Sequence, residues 1–497
     1  MSKKNSLILT LIISIIGISA LATYAWFTWN SKENTELTLT IGELADVTFD
    51  KGDDINVDNI GPVLNYLNDG EITTFSFRNK SELELFTNVD LNITNLPDEL
   101  KEESFKYVLL SSTDNVKFDE VASGSFVDKS NGVVSILSTM PAQTGTTYFK
   151  FIIYIDGNME NPVDMMGKSF SATLNVTVGE KQSFAETVMN LSGGDSWESG
   201  ASGVFATNSY TDETTGETKY HDYRYVGANV NNYVKFNDDL YRIIGVFDDN
   251  SHGVVDTDGN GKYLVKLIAA NPVGAYAYGA QNDTSNNYST YSNDFTIGNM
   301  NKLLNNNFYG KSSEGCSVLT YYYNNTNYRT NDCSDIVGYG IDPSLQNYIE
   351  NVTWYLYGYS TNSYSKQNFY LCERGGNGCT GASGTTEESK VKVQNKVGLM
   401  YVSDYLYASG YFSSSNTTTA TSSYYGNQNW LYKGYEWTIT PLSNTSSNAF
   451  YVASYGSVNY YGAYFGFGAR PAFYLTSSVF ITGGNGSFAS PYTITLE

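Results

Sequence analysis

From Ser447 to Phe465 the chain reads SNAFYVASYGSVNYYGAYF, a run in which tyrosine is interleaved with serine, glycine and asparagine. Those residue types do recognition chemistry. Tyrosine supplies a large, stiff, amphipathic contact surface at small entropic cost, and serine and asparagine supply adaptable hydrogen bonds. The skew is global: of 43 tyrosines, 5 precede residue 181, leaving 43 − 5 = 38 beyond it. The residues expected to touch a ligand are Asn448, Tyr451, Ser454, Tyr455, Ser457, Asn459, Tyr460, Tyr461 and Tyr464. Tyrosine is also a good strand former, so some of these rings are candidates for the core of a β-rich domain.

Other chemistries find little support. The only histidines, His221 and His252, stand apart in polar surroundings and read as solvated loop residues, which leaves no histidine-rich metal site and no Ser-His relay. The segment DTDGNGK, Asp256 to Lys262, begins like a calcium loop, but Leu267 occupies the twelfth position where a bidentate glutamate is needed; a hairpin turn is the better reading. Asp248, Asp249, Glu373 and Asp404 are acidic, yet no spacing marks a catalytic pair. No enzymatic activity, metal or cofactor is expected. Arg470, beside Pro471 and between aromatic strands, reads as a buried structural anchor forked onto carbonyls or a carboxylate, and Trp437, like Trp354 and Trp430, reads as core.

The cysteines fall as two local pairs, Cys316 with Cys333 and Cys372 with Cys379. An even count in an exported chain favours disulfides; four cysteines allow three connectivities, and a metal site is the alternative. Export itself is read from the start of the chain. Lys3 and Lys4 precede an apolar run from Leu7 to Trp29 that is long enough to span a bilayer, and Ala20, Ala22 and Ala25 offer small-residue cleavage sites. Residues 1–29 are therefore a signal peptide or a retained anchor, a hydrophobic helix in either case, and the rest of the chain lies outside the cytoplasm.

Residues 30–180 carry short alternating runs, among them TTFSFRN, YFKFIIYID and FSATLNVTVG, bounded by turn formers. Period-two alternation repeated six or more times predicts an antiparallel β-sandwich. The leader's end at Thr23, Tyr24, Ala25 and Phe27, the strand LTIGELADVTF and the FSFRN strand ending at Asn79 resemble the TasA and camelysin family of Gram-positive surface and biofilm-fibre proteins. That resemblance implies polymerisation by strand exchange, and the extended segment Glu36 to Val47 on a sheet edge is its physical counterpart.

Residues 181–222 shift to Gly, Ser, Thr and Asp and read as a linker containing one short helical piece, SFAETVMNL. From 223 to 497 the chain opens and closes with strand patterns, which places both ends in one sheet. Helices are expected at Ile297 to Phe308 and Pro343 to Tyr355, and Ser403 is placed to cap another through Tyr407. The strings YVGANVNNYVKFN, YRIIGVF, GLMYVSDYLYA and ARPAFYL resemble a recurrent surface domain of Gram-positive gut bacteria. More distantly, SDYLYA, YEWT at Tyr435 to Thr438, and Gly468 to Pro471 resemble the C-type-lectin-like architecture of the formylglycine-generating-enzyme group and of retroelement variable proteins. The expected fold is an all-β sandwich followed by an α+β C-type-lectin-like domain, preceded by the N-terminal hydrophobic helix. Oxidase chemistry of the formylglycine type would need a cysteine pair near the C-terminal motifs, and none lies beyond Tyr401.

Over 497 residues the formal charge is −22, which leaves no basic field for a phosphate backbone and excludes nucleic acid as a partner. The expectation is an extracellular, surface-held adhesin or ligand-binding protein whose partner is a host or bacterial surface protein or a glycan. The rival is a matrix or fibre subunit that self-assembles through the N-terminal domain.

Overall fold

The computed structural model describes residues 27–30, 37–41, 45–50, 55–57, 61–80, 85–127, 129–159, 165–180, 182–257, 259, 261–279, 292–314, 319–323, 327–331, 334–376, 379–381, 387–411 and 418–496. The molecule is mostly β-sheet and divides into two compact units, residues 1–181 with 481–485 and residues 182–480 with 486–497. Of the expected leader helix over residues 1–29, residues 1–26 lie outside the described residues, while Phe27 to Trp29 belong instead to the strand Phe27–Asn30, which pairs with Phe170–Glu180; among the described residues, no helix is long and apolar enough to cross a membrane.

The first unit is built from two antiparallel sheets that share one core. In one, Phe27–Asn30, Phe170–Glu180, Leu85–Asn95 and Gly132–Ala142 lie side by side, with Ile55–Val57 also paired to Phe170–Glu180. In the other the order is Leu37–Ile41, Ala45–Asp50, Glu71–Asn79, Gly145–Asp156, Phe105–Ser112 and Asp119–Ser125, with Pro62–Val63 running parallel to Gly145–Asp156. The alternation that predicts these strands also sorts their faces. Phe149, Phe151, Ile153 and Ile155 point into the core with Phe75, Phe77, Leu91 and Leu174, whereas Ile152 and Tyr154 belong to a separate cluster on the outer face. Phe149 sits directly opposite Phe75 in the ladder, their rings stacked at 4.8 Å. The segment Glu36 to Val47 supplies Leu37–Ile41, which forms one edge of its sheet.

The second unit centres on a seven-stranded sheet ordered Gly203–Thr211, Thr218–Val226, Asp239–Phe247, Leu264–Ala269, Ala472–Tyr474 and Val397–Gly398, with Tyr233–Phe236 paired to Asp239–Phe247. Chain segments from both ends of the unit meet in it. A five-stranded sheet follows the order Ala275–Ala277, Gly466–Gly468, Glu436–Pro441, Asn448–Val452 and Val458–Gly462. Helices Lys366–Glu373 and Val402–Tyr407 pack on each other.

Several expectations change here. Residues 181–222 are not a linker: Phe184–Asn190 is a helix closed by a Ser183/Glu186 capping box, and Gly203–Thr211 with Thr218–Val226 form a hairpin in the central sheet. Polar composition misled because these strands carry Ser209, Thr211 and Thr218 in solvent, while Val204, Phe205 and Ala206 are buried. Pro343–Tyr348 is a 3-10 turn that gives way to the strand Val352–Tyr355, where β-branched and aromatic residues favour extension. Ser403 does not cap its helix. Tyr401 is the cap residue, its N–H donates to the Asp404 carboxylate at 2.9 Å, and the Ser403 side chain is buried. Neither histidine is a solvated loop residue. His221 lies in a strand with Nδ1 2.5 Å from Asp248, and His252 is buried with Nε2 3.0 Å from the Phe247 carbonyl.

Candidate functional site

Strand register decides which of the tyrosines share a surface. In the five-stranded sheet, Trp437 sits opposite Tyr451, Tyr451 opposite Asn459, and Ala449 opposite Tyr461, so those residues share one face. Phe450 opposes Tyr460, and these two project to the other side, with ring centroids 5.9 Å apart.

The first face carries a continuous aromatic platform. Phe467 is at its middle, stacked on Tyr451 at 4.5 Å and on Tyr435 at 5.5 Å. Tyr461 meets Phe465 edge-on at 4.3 Å, and Tyr464 flanks Phe465 at 5.0 Å. Trp437 is fully buried beneath Phe467, 4.7 Å away, and its indole N–H donates to the Tyr276 carbonyl at 2.9 Å. Exposure grades across the platform: Tyr435 is 50% exposed and Tyr461 39%, while Tyr451 at 8% is a supporting ring. Burial raises the pKa of the Tyr451 hydroxyl, with smaller contributions from Tyr435 and Tyr461.

The polar residues of the run surround this surface. The Ser454 hydroxyl donates to Tyr435 Oη at 3.1 Å, and Asn459 is exposed next to Tyr451 in the ladder. Tyr455, 78% exposed, stands at the hairpin tip; Ser457 is half-buried across the same turn, where its carbonyl accepts from the Ala453 N–H at 2.8 Å. Asn448 is half-buried at the base, its carbonyl accepting from the Asn293 amide at 2.7 Å. Thus Tyr451, Ser454, Asn459, Tyr461 and Tyr464 gather on or beside one face. Tyr460 packs behind it and Tyr451 is sealed, so neither ring is placed for direct capture.

Tyr435, Phe465 and Phe467 belong to the platform and were absent from the expected site. The pairing of Glu436 with Gly468 brings Tyr435 beside Phe467, a long-range contact that no local spacing announces. The charged groups under the sheet are spent on one another. Arg470 is buried, with Nη2 2.7 Å from Glu436 and 2.6 Å from the Leu431 carbonyl. The platform is therefore an aromatic surface bordered by hydrogen-bonding side chains, with Lys433 exposed two residues before Tyr435.

Of the cysteines, Cys372 and Cys379 form a disulfide, whereas Cys316 and Cys333 lie outside the described residues. Val255 and Gly261 are bridged antiparallel, as in a tight turn. Among the described residues no group of three or more acidic, histidine or cysteine side chains is arranged to hold a metal ion.

No family model matches this chain, and no curated protein is similar to it. Among solved structures it is similar to a Clostridium perfringens chain described as CpGH89CBM32-5 in complex with GalNAc-β-1,3-galactose, at 13% identity over 30% of this chain and 94% of that one, with a TM-score of 0.14.

Proposed function

We propose that this is an exported surface protein that binds a neutral glycan through the aromatic platform of its second unit, with binding rather than turnover as its task. The single observation that carries this reading is the run of partly exposed rings at Tyr435, Phe467 and Tyr461 on one sheet face, bordered by Ser454 and Asn459. The apolar C–H faces of a sugar ring stack on such rings, and its hydroxyls need the donors and acceptors that serine, asparagine and tyrosine provide. Retention at the cell surface by the apolar segment that begins at Leu7 belongs to the same proposal, as does a C-type-lectin-like architecture for the second unit.

The test is a glycan array probed with the protein and with Tyr435→Ala and Tyr461→Ala. Both rings are partly exposed, so the expected result is loss of glycan signal while cooperative folding is retained. Retained binding in both variants overturns the assignment.

A second reading, a matrix or fibre subunit akin to the TasA and camelysin proteins, is favoured by one feature. Among the described residues Leu37–Ile41 is an edge strand paired on one side only, the geometry through which another chain adds a strand. Concentration-dependent filaments seen by electron microscopy would support it.

A further inference from the structure

The first unit holds a groove of about 440 Å³ on the outer face of its larger sheet, remote in chemistry from the neutral platform. Register builds its floor. Tyr154, Lys106 and Ser125 form one row across three strands, and Ile152, Val108 and Ser123 form the next. Since laterally paired residues point to the same face, all six project outward.

One wall is aromatic. Tyr66, in the short helix Tyr66–Asp69, stacks on Tyr154 with centroids 4.9 Å apart and planes 20° from parallel. The helix is pinned there by Asn65, whose side chain accepts from the Leu67 N–H, and by Gly70, where a Cβ would fall 2.6 Å from the Tyr66 carbonyl oxygen and 2.7 Å from Ile152. The opposite wall is the edge strand Asp119–Ser125.

The charge on the groove is one-sided. Among the described residues Lys106 is the only cation lining it, and its ammonium is 2.9 Å from Asp156, so that charge is neutralised. Glu103 and Glu120 also line it; neither is ion-paired among the described residues, and both are exposed. Glu120 accepts from the Ser123 hydroxyl at 2.7 Å, which orients its carboxylate along the wall. Burial, followed by the nearby Asp156, Tyr66 and Glu120, raises the pKa of the Tyr154 hydroxyl, so its ring stays neutral at the wall.

We propose that this groove binds an organic ammonium ion, its alkyl body against Tyr66, Tyr154 and Val108 and its positive charge between the aromatic wall and the carboxylates of Glu103 and Glu120. An aromatic face attracts a cation through its quadrupole, and two unpaired carboxylates supply the counter-charge that a sugar would not need. The ammonium comes either from a small quaternary amine or from a lysine side chain, and the probes separate these.

The experiment is isothermal titration of the full chain with choline, with Nα-acetyl-lysine methylamide, and with the carbon isostere of choline that lacks charge. At least one cation should bind, with the neutral isostere weaker by about tenfold, the ratio that roughly 1.4 kcal/mol of cation–π and carboxylate attraction produces. Choline binding alone identifies a quaternary amine, and lysine-amide binding alone identifies a lysyl group. The paired variant Glu103→Gln with Glu120→Gln changes only exposed side chains and should weaken the bound cation by a similar factor. Equal binding of the isostere, an unaffected paired variant, or no binding of either cation overturns the proposal. Tyr461→Ala should leave this titration unchanged, so failure of the glycan reading and failure of this one are told apart.

Discussion

Lys266 Nζ lies 2.6 Å from Asp404 Oδ2, with both side chains completely buried, and Arg224 Nη1 approaches the other oxygen of the same carboxylate at 2.8 Å. Three charges thus share the centre of the second unit, and Asp222 adds a fourth, 3.1 Å from Arg224 Nε. The Lys266 ammonium also sits over the Tyr401 ring at 4.5 Å and the Trp354 ring at 4.9 Å. A buried charge survives only when paired and hydrogen-bonded. This cluster joins the central sheet to the helix Val402–Tyr407.

Asp404→Ala strips the counter-ion from Lys266 and leaves Arg224 with Asp222 alone. The expected loss is about 3–5 kcal/mol of unfolding free energy, read as a lower denaturant midpoint. Burial opposes ionisation of Asp404, but Lys266 and Arg224 overcome it and hold the carboxylate at about 2. The folded value lies below the ordinary 3.8, so this stabilisation is present above pH 3.8 and is lost as pH falls toward 2. The wild type should lose stability across that window, and the Asp404→Ala variant should not show the step.

His221 should give a dependence of opposite sense. Burial lowers its pKa, but the bond to Asp248 outweighs burial and raises the folded value above 6.5. The native state therefore binds the proton more tightly, and the stabilisation is present below pH 6.5 and lost as pH rises through the raised value. His221→Asn removes it. Unfolding midpoints of the two proteins should differ most near pH 6 and converge in alkali.

His252 is buried, and desolvation carries its pKa down to about 4 despite bonds to the carbonyls of Phe247 and Lys262. A lowered value makes the unfolded chain the better proton binder, so stability falls as pH drops from 6.5 toward 4. His252→Gln should abolish that component, measured as a flatter midpoint-against-pH curve in this range.

Tyr451 and Tyr455 should part company under mutation. Tyr451 is sandwiched among Phe467, Tyr435 and Trp437, and its replacement by alanine should cost about 3 kcal/mol. Tyr455→Ala should stay within about 0.5 kcal/mol, since its ring is largely in solvent. Thermal denaturation of the two single variants checks both values.

Gly456 holds the hairpin tip. Its φ is +81°, and a Cβ there would run into the backbone of Gly426 in the 3-10 turn Ser423–Gly426. Gly456→Ala should therefore destabilise by more than about 1 kcal/mol and disturb the hydrogen bond of Tyr405 Oη to the Gly456 carbonyl. Amide hydrogen exchange at Ser457 and Val458 should accelerate; unchanged protection would refute this role.

Local pattern determined much of this protein on its own. Alternation in GTTYFKFIIYID and EITTFSFRN wrote the strands of the first unit and their inward faces, because a period of two is a property of neighbouring residues. The concentration of tyrosine and the burial type of Arg470 and Trp437 were legible in the same way. Tertiary structure alone decided the rest. Whether Tyr451 is a ligand contact or a supporting ring depends on Phe467 and Tyr435, which approach it through strand pairings made across the chain. His221 meets Asp248 only because two strands of the central sheet pair, and Asp404 becomes the hub of a buried network only when Arg224 and Lys266, 180 and 138 residues away, fold onto it. Burial and charge pairing are sums over such distant neighbours, and a one-dimensional pattern contains no term for them.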